Sequence, residues 1–188
     1  MSTTRRTPRD GAWTYEDYRA LPDDGRRYQV LQGDLVVTPA PNRLHQGIVL
    51  RLGVCLSERI ERDGLGFVYC SPVDVVLGSR TVVQPDIVFV STARSEGLPL
   101  ACIDRAPELA VEVLSPSTAS IDRVRKAAIY ARAGVPWYWV VDADARSVEE
   151  YELDGDAYRL RSRTAAPGVF EPALFPGLAI ALEAVLRP

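Results

Sequence analysis

Two acids and one lysine in this chain have the types and placement for metal-assisted chemistry on a phosphodiester. Asp86 sits in Gln84-Pro85-Asp86-Ile87-Val88-Phe89-Val90, at the entrance to a very apolar strand. Glu112 lies inside Glu108-Leu109-Ala110-Val111-Glu112-Val113-Leu114. By the period of two, it shares a strand face with Ala110 and Leu114. An ionised carboxylate there is costly unless it is paired or binds a metal. Lys126 is the only lysine, and every other basic residue is arginine. A compact ammonium whose pKa can shift does work that a guanidinium cannot. Two carboxylates and a backbone carbonyl, that of Val113, make a hard-oxygen set for Mg²⁺ or Mn²⁺. Such an ion polarises a phosphodiester and lowers the pKa of a bound water. The lysine would position or deprotonate that water and stabilise charge on the phosphate.

Each residue also has a plain structural role open to it. Asp86 could be a turn residue, and Glu112 could be solvated on an exposed face. Asp122, Lys126 and Tyr130, spaced i, i+4, i+8, could form an ordinary helix stripe whose ion pair is worth about 0.3–0.5 kcal/mol. The chemical reading gains from Ser115-Pro116-Ser117, a short turn between the Glu112 strand and that helix. It could bring Lys126 toward Glu112. His45, the sole histidine, reads as a packing or capping residue, with a secondary place beside the same cleft. The chain has no P-loop, G-x-S-x-G or H-E-x-x-H, so nothing else offers an equal set.

The elements that must position these groups are strands and helices in mixed order, one α+β domain. Thr14 caps a short helix over Tyr15 to Leu21. Arg27 to Leu31 and Asp34 to Thr38 form a hairpin about Gln32-Gly33. Asn42 caps a long helix from Arg43 to Asp63, with Leu44, Ile48, Leu52, Cys55, Leu56 and Ile60 on one stripe. Strands are expected at Gly66–Cys70, Val73–Leu77, Asp86–Val90 and Glu108–Leu114, with Ser91 to Ala106 irregular. A second long helix runs from Thr118 to Ala133 and closes on Gly134. Trp137–Val141, Arg146–Leu153, Tyr158–Arg163 and Leu178–Leu182 complete the strands, before a helical turn.

The chain has 188 residues, of which 47% are hydrophobic and 25% charged. That suits one domain, residues 13–188, behind a flexible tail of residues 1–12. The composition excludes disorder for the bulk of the chain, and no apolar run is long enough for a membrane span. A net charge of −3 excludes a polycation that binds nucleic acid indiscriminately. Cys55, Cys70 and Cys102 are odd in number and widely spaced. They read as free, buried thiols in a reducing, cytoplasmic setting.

Pro85-Asp86, Glu112-Val113-Leu114-Ser115-Pro116-Ser117, Asp122, Lys126, Tyr130, Gly134-Val135-Pro136 and Tyr138-Trp139-Val140-Val141-Asp142 together resemble the Uma-two family. Its members are regarded as restriction endonucleases of the PD-(D/E)XK nuclease superfamily. The stretch Arg27 to Val36, with Pro39, Pro41 and His45, is similar to the family's N-terminal hairpin and first long helix. The resemblance spans Trp13 to Leu182. It implies a restriction-endonuclease-like core, with a central mixed β-sheet flanked by helices, plus the N-terminal hairpin. It implies Asp86 and Glu112 as metal-binding acids and Lys126 as the catalytic lysine. The superfamily's lysine stands two residues after the second acid, where this chain has Leu114. In this family it has moved to the following helix. The family often has Glu where this chain has Gln29.

Three functions compete. The first is a Mg²⁺-dependent endonuclease acting on DNA, with Arg123 and Arg125 near the site as phosphate contacts. Because cutting both strands is easiest with two sites about a two-fold axis, a homodimer is expected. The second is a non-catalytic module on the same fold, binding nucleic acid or protein. The third is a glycosidase with Asp86 and Glu112 as its acid pair, which leaves Lys126 unexplained.

Overall fold

The computed structural model describes residues 11–116 and 118–187. Most of the expected tail, residues 1–10, and Ser117 of the turn after Glu112 therefore lie outside the described residues. The chain opens with α1 (Tyr15–Arg19), capped by the Thr14 hydroxyl, and the hairpin β1 (Arg27–Leu31) and β2 (Asp34–Thr38). Gln32 and Gly33 both have positive φ, 54° and 92°, the geometry of a two-residue hairpin turn. The long helix α2 (Arg43–Arg62) follows. Then come β3 (Gly66–Cys70), β4 (Val75–Gly78), β5 (Thr81–Val83), β6 (Ile87–Ser91), the short α3 (Thr92–Ser95) and β7 (Leu109–Val113). Helix α4 has a π-helical first part, Ile121–Lys126, and an α-helical second part, Ala127–Arg132. After it lie β8 (Trp137–Asp142), β9 (Ser147–Asp154), β10 (Ala157–Ala165), β11 (Val169–Phe170), β12 (Ile180–Ala181) and α5 (Leu182–Val185).

The central sheet has six strands in the order β10-β9-β8-β7-β6-β3. It is mixed: β7 and β8 run parallel, and the other neighbours are antiparallel. A parallel pair needs a crossover connection, and α4 supplies it. A second sheet, β2-β1-β5-β4, is built on the N-terminal hairpin. Alternation along the central strands divides the core in two. Ile87, Phe89, Val111 and Trp139 face Ile48, Leu52 and Leu56 of α2. Val88, Ala110, Tyr138 and Val140 face Ile129 and Tyr130 of α4 and Leu31 and Val83 of the smaller sheet. The expected restriction-endonuclease-like architecture is the one observed.

Some elements differ from expectation. The strand expected at Val73–Leu77 is Val75–Gly78. Thr81–Val83, which the sequence reading left out, is a strand that pairs with both β1 and β4. Three residues are too few to display a period, but they join the hairpin to the rest of the molecule. Val169–Phe170 escaped for the same reason. All three cysteines are free, but Cys70 is exposed, because β3 is an edge strand, where the sequence suggested a buried thiol. Among the described residues no helix is long and apolar enough to cross a membrane.

Candidate active site

Asp86 directly precedes β6 and Glu112 is the fourth residue of β7, two adjacent strands. Both acids line one cleft of about 220 Å³ between the two sheets and the start of α4. Asp86 is fixed from two sides. Its Oδ2 accepts the Val113 N–H at 2.8 Å and lies 3.1 Å from His45 Nε2. The His45 ring is aimed there by its place in the first turn of α2, where the Asn42 side chain caps the His45 N–H at 2.9 Å. Asp86 Oδ1 has no hydrogen bond among the described residues and belongs to a carboxylate on the cleft wall.

Glu112 is 2% exposed. Lys126 Nζ donates to both of its oxygens at 2.9 Å, and the Tyr130 hydroxyl donates to Oε1 at 2.6 Å. The ammonium also pairs with Asp122 Oδ1 at 3.2 Å. Asp122, Lys126 and Tyr130 thus act from one face of α4, and the π-helical part explains how. In a regular α-helix a step of four residues overshoots a full turn by about 40°. Three such side chains would fan out over about 80°. A π turn takes more than four residues and drifts the other way. Here the Ala127 N–H reaches back to the Asp122 carbonyl, and the Tyr138 hydroxyl holds the same carbonyl at 3.0 Å. The three side chains are kept in line.

Three acids surround one lysine, so they cannot all be charged cheaply. Burial pushes the Glu112 carboxyl up to about 8, Asp122 and Asp86 add to the shift, and Lys126 opposes it. Burial alone would lower Lys126, but the charges of Glu112 and Asp122 hold its ammonium above the usual lysine range. Burial and the Glu112 charge keep the Tyr130 hydroxyl protonated.

The structure therefore brings Asp86, Glu112, Val113, Lys126, His45 and Asp122 to one cleft, with Tyr130 behind Glu112. It does not bring Arg123 there. Arg123 pairs with Glu149 at 2.5 Å and Asp142 at 3.3 Å and lines a different cavity, against Tyr138 and Tyr151. Arg125 is held by the Leu31 carbonyl and Asp34. The cleft's arginine is Arg27, on β1, whose Nε donates to Gln84 Oε1 at 3.3 Å. The sequence reading missed it because the hairpin's distance from the acids along the chain hides their proximity. Gln29 and Gln84 were missed as cleft residues too: the Gln29 side-chain oxygen accepts the Gln84 N–H at 2.9 Å, and both line the cleft. No Phe, Tyr or Trp side chain lines it among the described residues, which leaves a sugar ring without a broad platform.

Among the described residues no group of three or more His, Cys, Asp or Glu side chains is arranged as a metal cage. The donor set expected for the ion is smaller: two carboxylates and a carbonyl, the rest being water. Its chemistry fits a hard divalent cation, because the cleft buries more acid than base.

A central mixed sheet flanked by helices, with an N-terminal hairpin, is the restriction-endonuclease-like architecture of the PD-(D/E)XK-like class. The chain belongs to the Uma2 family, described as "Putative restriction endonuclease", whose model matches residues 15–183. Its fold is similar to the crystal structure of "a putative nuclease belonging to DUF820" from Anabaena variabilis, with a TM-score of 0.77. The two share 16% sequence identity over 93% of this chain and 97% of that one. None of the curated proteins matches the sequence.

Proposed function

We propose that the chain is a divalent-metal-dependent nuclease that hydrolyses phosphodiester bonds in DNA. The observation that carries this reading is the convergence of Asp86, Glu112 and the sole lysine on one cleft. Asp86, Glu112 and the Val113 carbonyl would hold Mg²⁺, or Mn²⁺ in its place. The ion, when bound, supplies Lewis acidity toward the phosphate and a bound water more acidic than bulk water. Lys126, held protonated by its acidic neighbours, contributes charge: it orients Glu112 and stabilises negative charge developing on phosphate. His45 and the Val113 N–H hold Asp86 through its Oδ2, which keeps the carboxylate on the cleft wall. Arg27 is placed to hold a substrate phosphate, which carries affinity without sequence preference.

One observation favours a second reading, a non-catalytic module that binds nucleic acid or protein. Without metal, Glu112 is already satisfied by Lys126 and Tyr130, and a closed ion pair can hold a scaffold together. Nicking of supercoiled plasmid by the purified chain, with Mg²⁺, with Mn²⁺ and with EDTA, separates the two. Metal-dependent nicking that Lys126→Ala loses is the expected result. Equal activity of the variant, or none from either protein, sinks the nuclease reading.

A further inference from the structure

The two edges of the central sheet are treated very differently. The outer strand β10 carries exposed Arg159, Arg161 and Arg163, tied to Glu152, Asp154 and Glu149. Charged edges of this kind resist pairing with another chain. The opposite edge, β3, reads Gly-Phe-Val-Tyr-Cys, with no charge and no proline. Phe67 is 43% and Tyr69 is 37% exposed, with the rings stacked 6.4 Å apart. Val68 and Cys70 turn to the other face, where Val68 joins the α2 core and Cys70 rests on Gly53.

The ladder fixes which backbone groups of β3 are free. Leu65 accepts from the Thr92 N–H at 3.0 Å, and the Ser71 N–H donates to Asp86 at 2.9 Å. With the register Phe67↔Val90 and Tyr69↔Val88, odd-numbered residues direct N–H and C=O to β6. Val68 and Cys70 direct theirs outward, as does Gly66 by the same alternation, although Gly66 itself is buried in the single chain.

We infer that β3 is the interface of a homodimer, in which it pairs antiparallel with β3 of a second copy about a two-fold axis at Val68. That centre matches the free groups: Val68 meets Val68, and Gly66 meets Cys70, as hydrogen-bonded pairs. Phe67 then lies directly across from Tyr69 of the partner, twice, in the close non-hydrogen-bonded arrangement that favours aromatic pairs. A self-complementary, uncharged strand suits a copy of itself better than a charged ligand. The exposed Leu50 and Val54 of α2, the helix packed on β3, add apolar surface beside it.

The pairing makes one continuous sheet of both copies. Its axis is perpendicular to the sheet, so both clefts open on the same face. Asp86 lies opposite Ser71, three residues from the axis, which puts the two Asp86 positions about 25 Å apart by strand rise and spacing.

Mass measurement by light scattering over 1–100 µM tests this, with the full chain. The expected mass is twice 20.7 kDa, falling to a single chain in Val68→Pro and in Phe67→Arg/Tyr69→Arg. Both variants should keep the wild-type circular dichroism spectrum. The register is tested in a Cys70→Ser background by mixing Phe67→Cys with Tyr69→Cys under mild oxidation. A covalent dimer should form in the mixture and far less with either variant alone. A monomeric wild type, variants that stay dimeric, or no preference for the mixture overturns the proposal. None of these readouts uses cleavage, so the nuclease reading stands or falls separately.

Discussion

Lys126 Nζ lies 2.9 Å from both carboxylate oxygens of Glu112, a residue 14 positions earlier on a different element. The pair is sealed: Lys126 is 4% and Glu112 2% exposed. Removing one partner of a buried pair leaves the other uncompensated, at a cost of about 3–5 kcal/mol. Lys126→Met should destabilise the protein toward urea on that scale at pH 8. The loss should be smaller at pH 5, where Glu112 can take up a proton. Combining it with Glu112→Gln should recover much of the stability and none of the nicking.

The raised Glu112 carboxyl gives stability a pH dependence of defined sign. Below pH 4.5 the group is protonated in both folded and unfolded chains. Between pH 4.5 and about 8 the unfolded chain releases the proton and the folded one keeps it. Stability should therefore fall as pH rises through that window, by on the order of a few kcal/mol, and level off above it. Thermal melts in EDTA should show the slope, and Glu112→Gln should remove it. Saturating Mg²⁺ should flatten it as well, if the ion takes up the negative charge.

Asp86 does two jobs that substitution can separate. Asp86→Asn can still accept the Val113 N–H through its amide oxygen, so the fold should lose less than about 1 kcal/mol while metal binding and nicking are lost. Asp86→Ala leaves that buried N–H unsatisfied and should cost about 1–3 kcal/mol. Calorimetric Mn²⁺ titration and urea melts distinguish the two effects.

The arginines divide by position. Arg27→Ala should weaken nicking about tenfold or more through the substrate concentration needed, because Arg27 lines the cleft. Arg123→Ala should leave nicking within about twofold and lower stability by up to about 1 kcal/mol, since its partly exposed ion pairs lie elsewhere. Plasmid titrations with each variant check both.

The long elements and the main acids were legible because each rests on local rules. Asn42 before an apolar stripe announces α2, Gly134 ends α4, and an acid between Ala110 and Leu114 breaks a strand face that should be apolar. Arg27, Gln29 and Gln84 were not legible as cleft residues. They reach it through pairing of β1 with β5, and β5 is too short to signal itself. Arg123 and Arg125 were placed by nearness in sequence to Lys126. On a helix, neighbours in sequence point in different directions, and those two found acids and carbonyls outside the cleft. Cys70 looked buried because its neighbours are apolar, but the position of β3 at the sheet edge is a property of topology.

The π-helical part of α4 has a consequence for how the chain can change in length. Residues can be gained or lost before Ala119, where the helix begins, while a helix face still meets Glu112, because the connection from β7 absorbs the difference. Inside 121–126 there is no such slack. Deleting the exposed Val124 would convert the wide turn to a regular one and swing the ammonium off Glu112, with the fold around it preserved. Among homologous chains, gaps should collect before Ala119 and stop there. A lineage that carries one inside the segment has given up the lysine's position, whatever residue its alignment column contains.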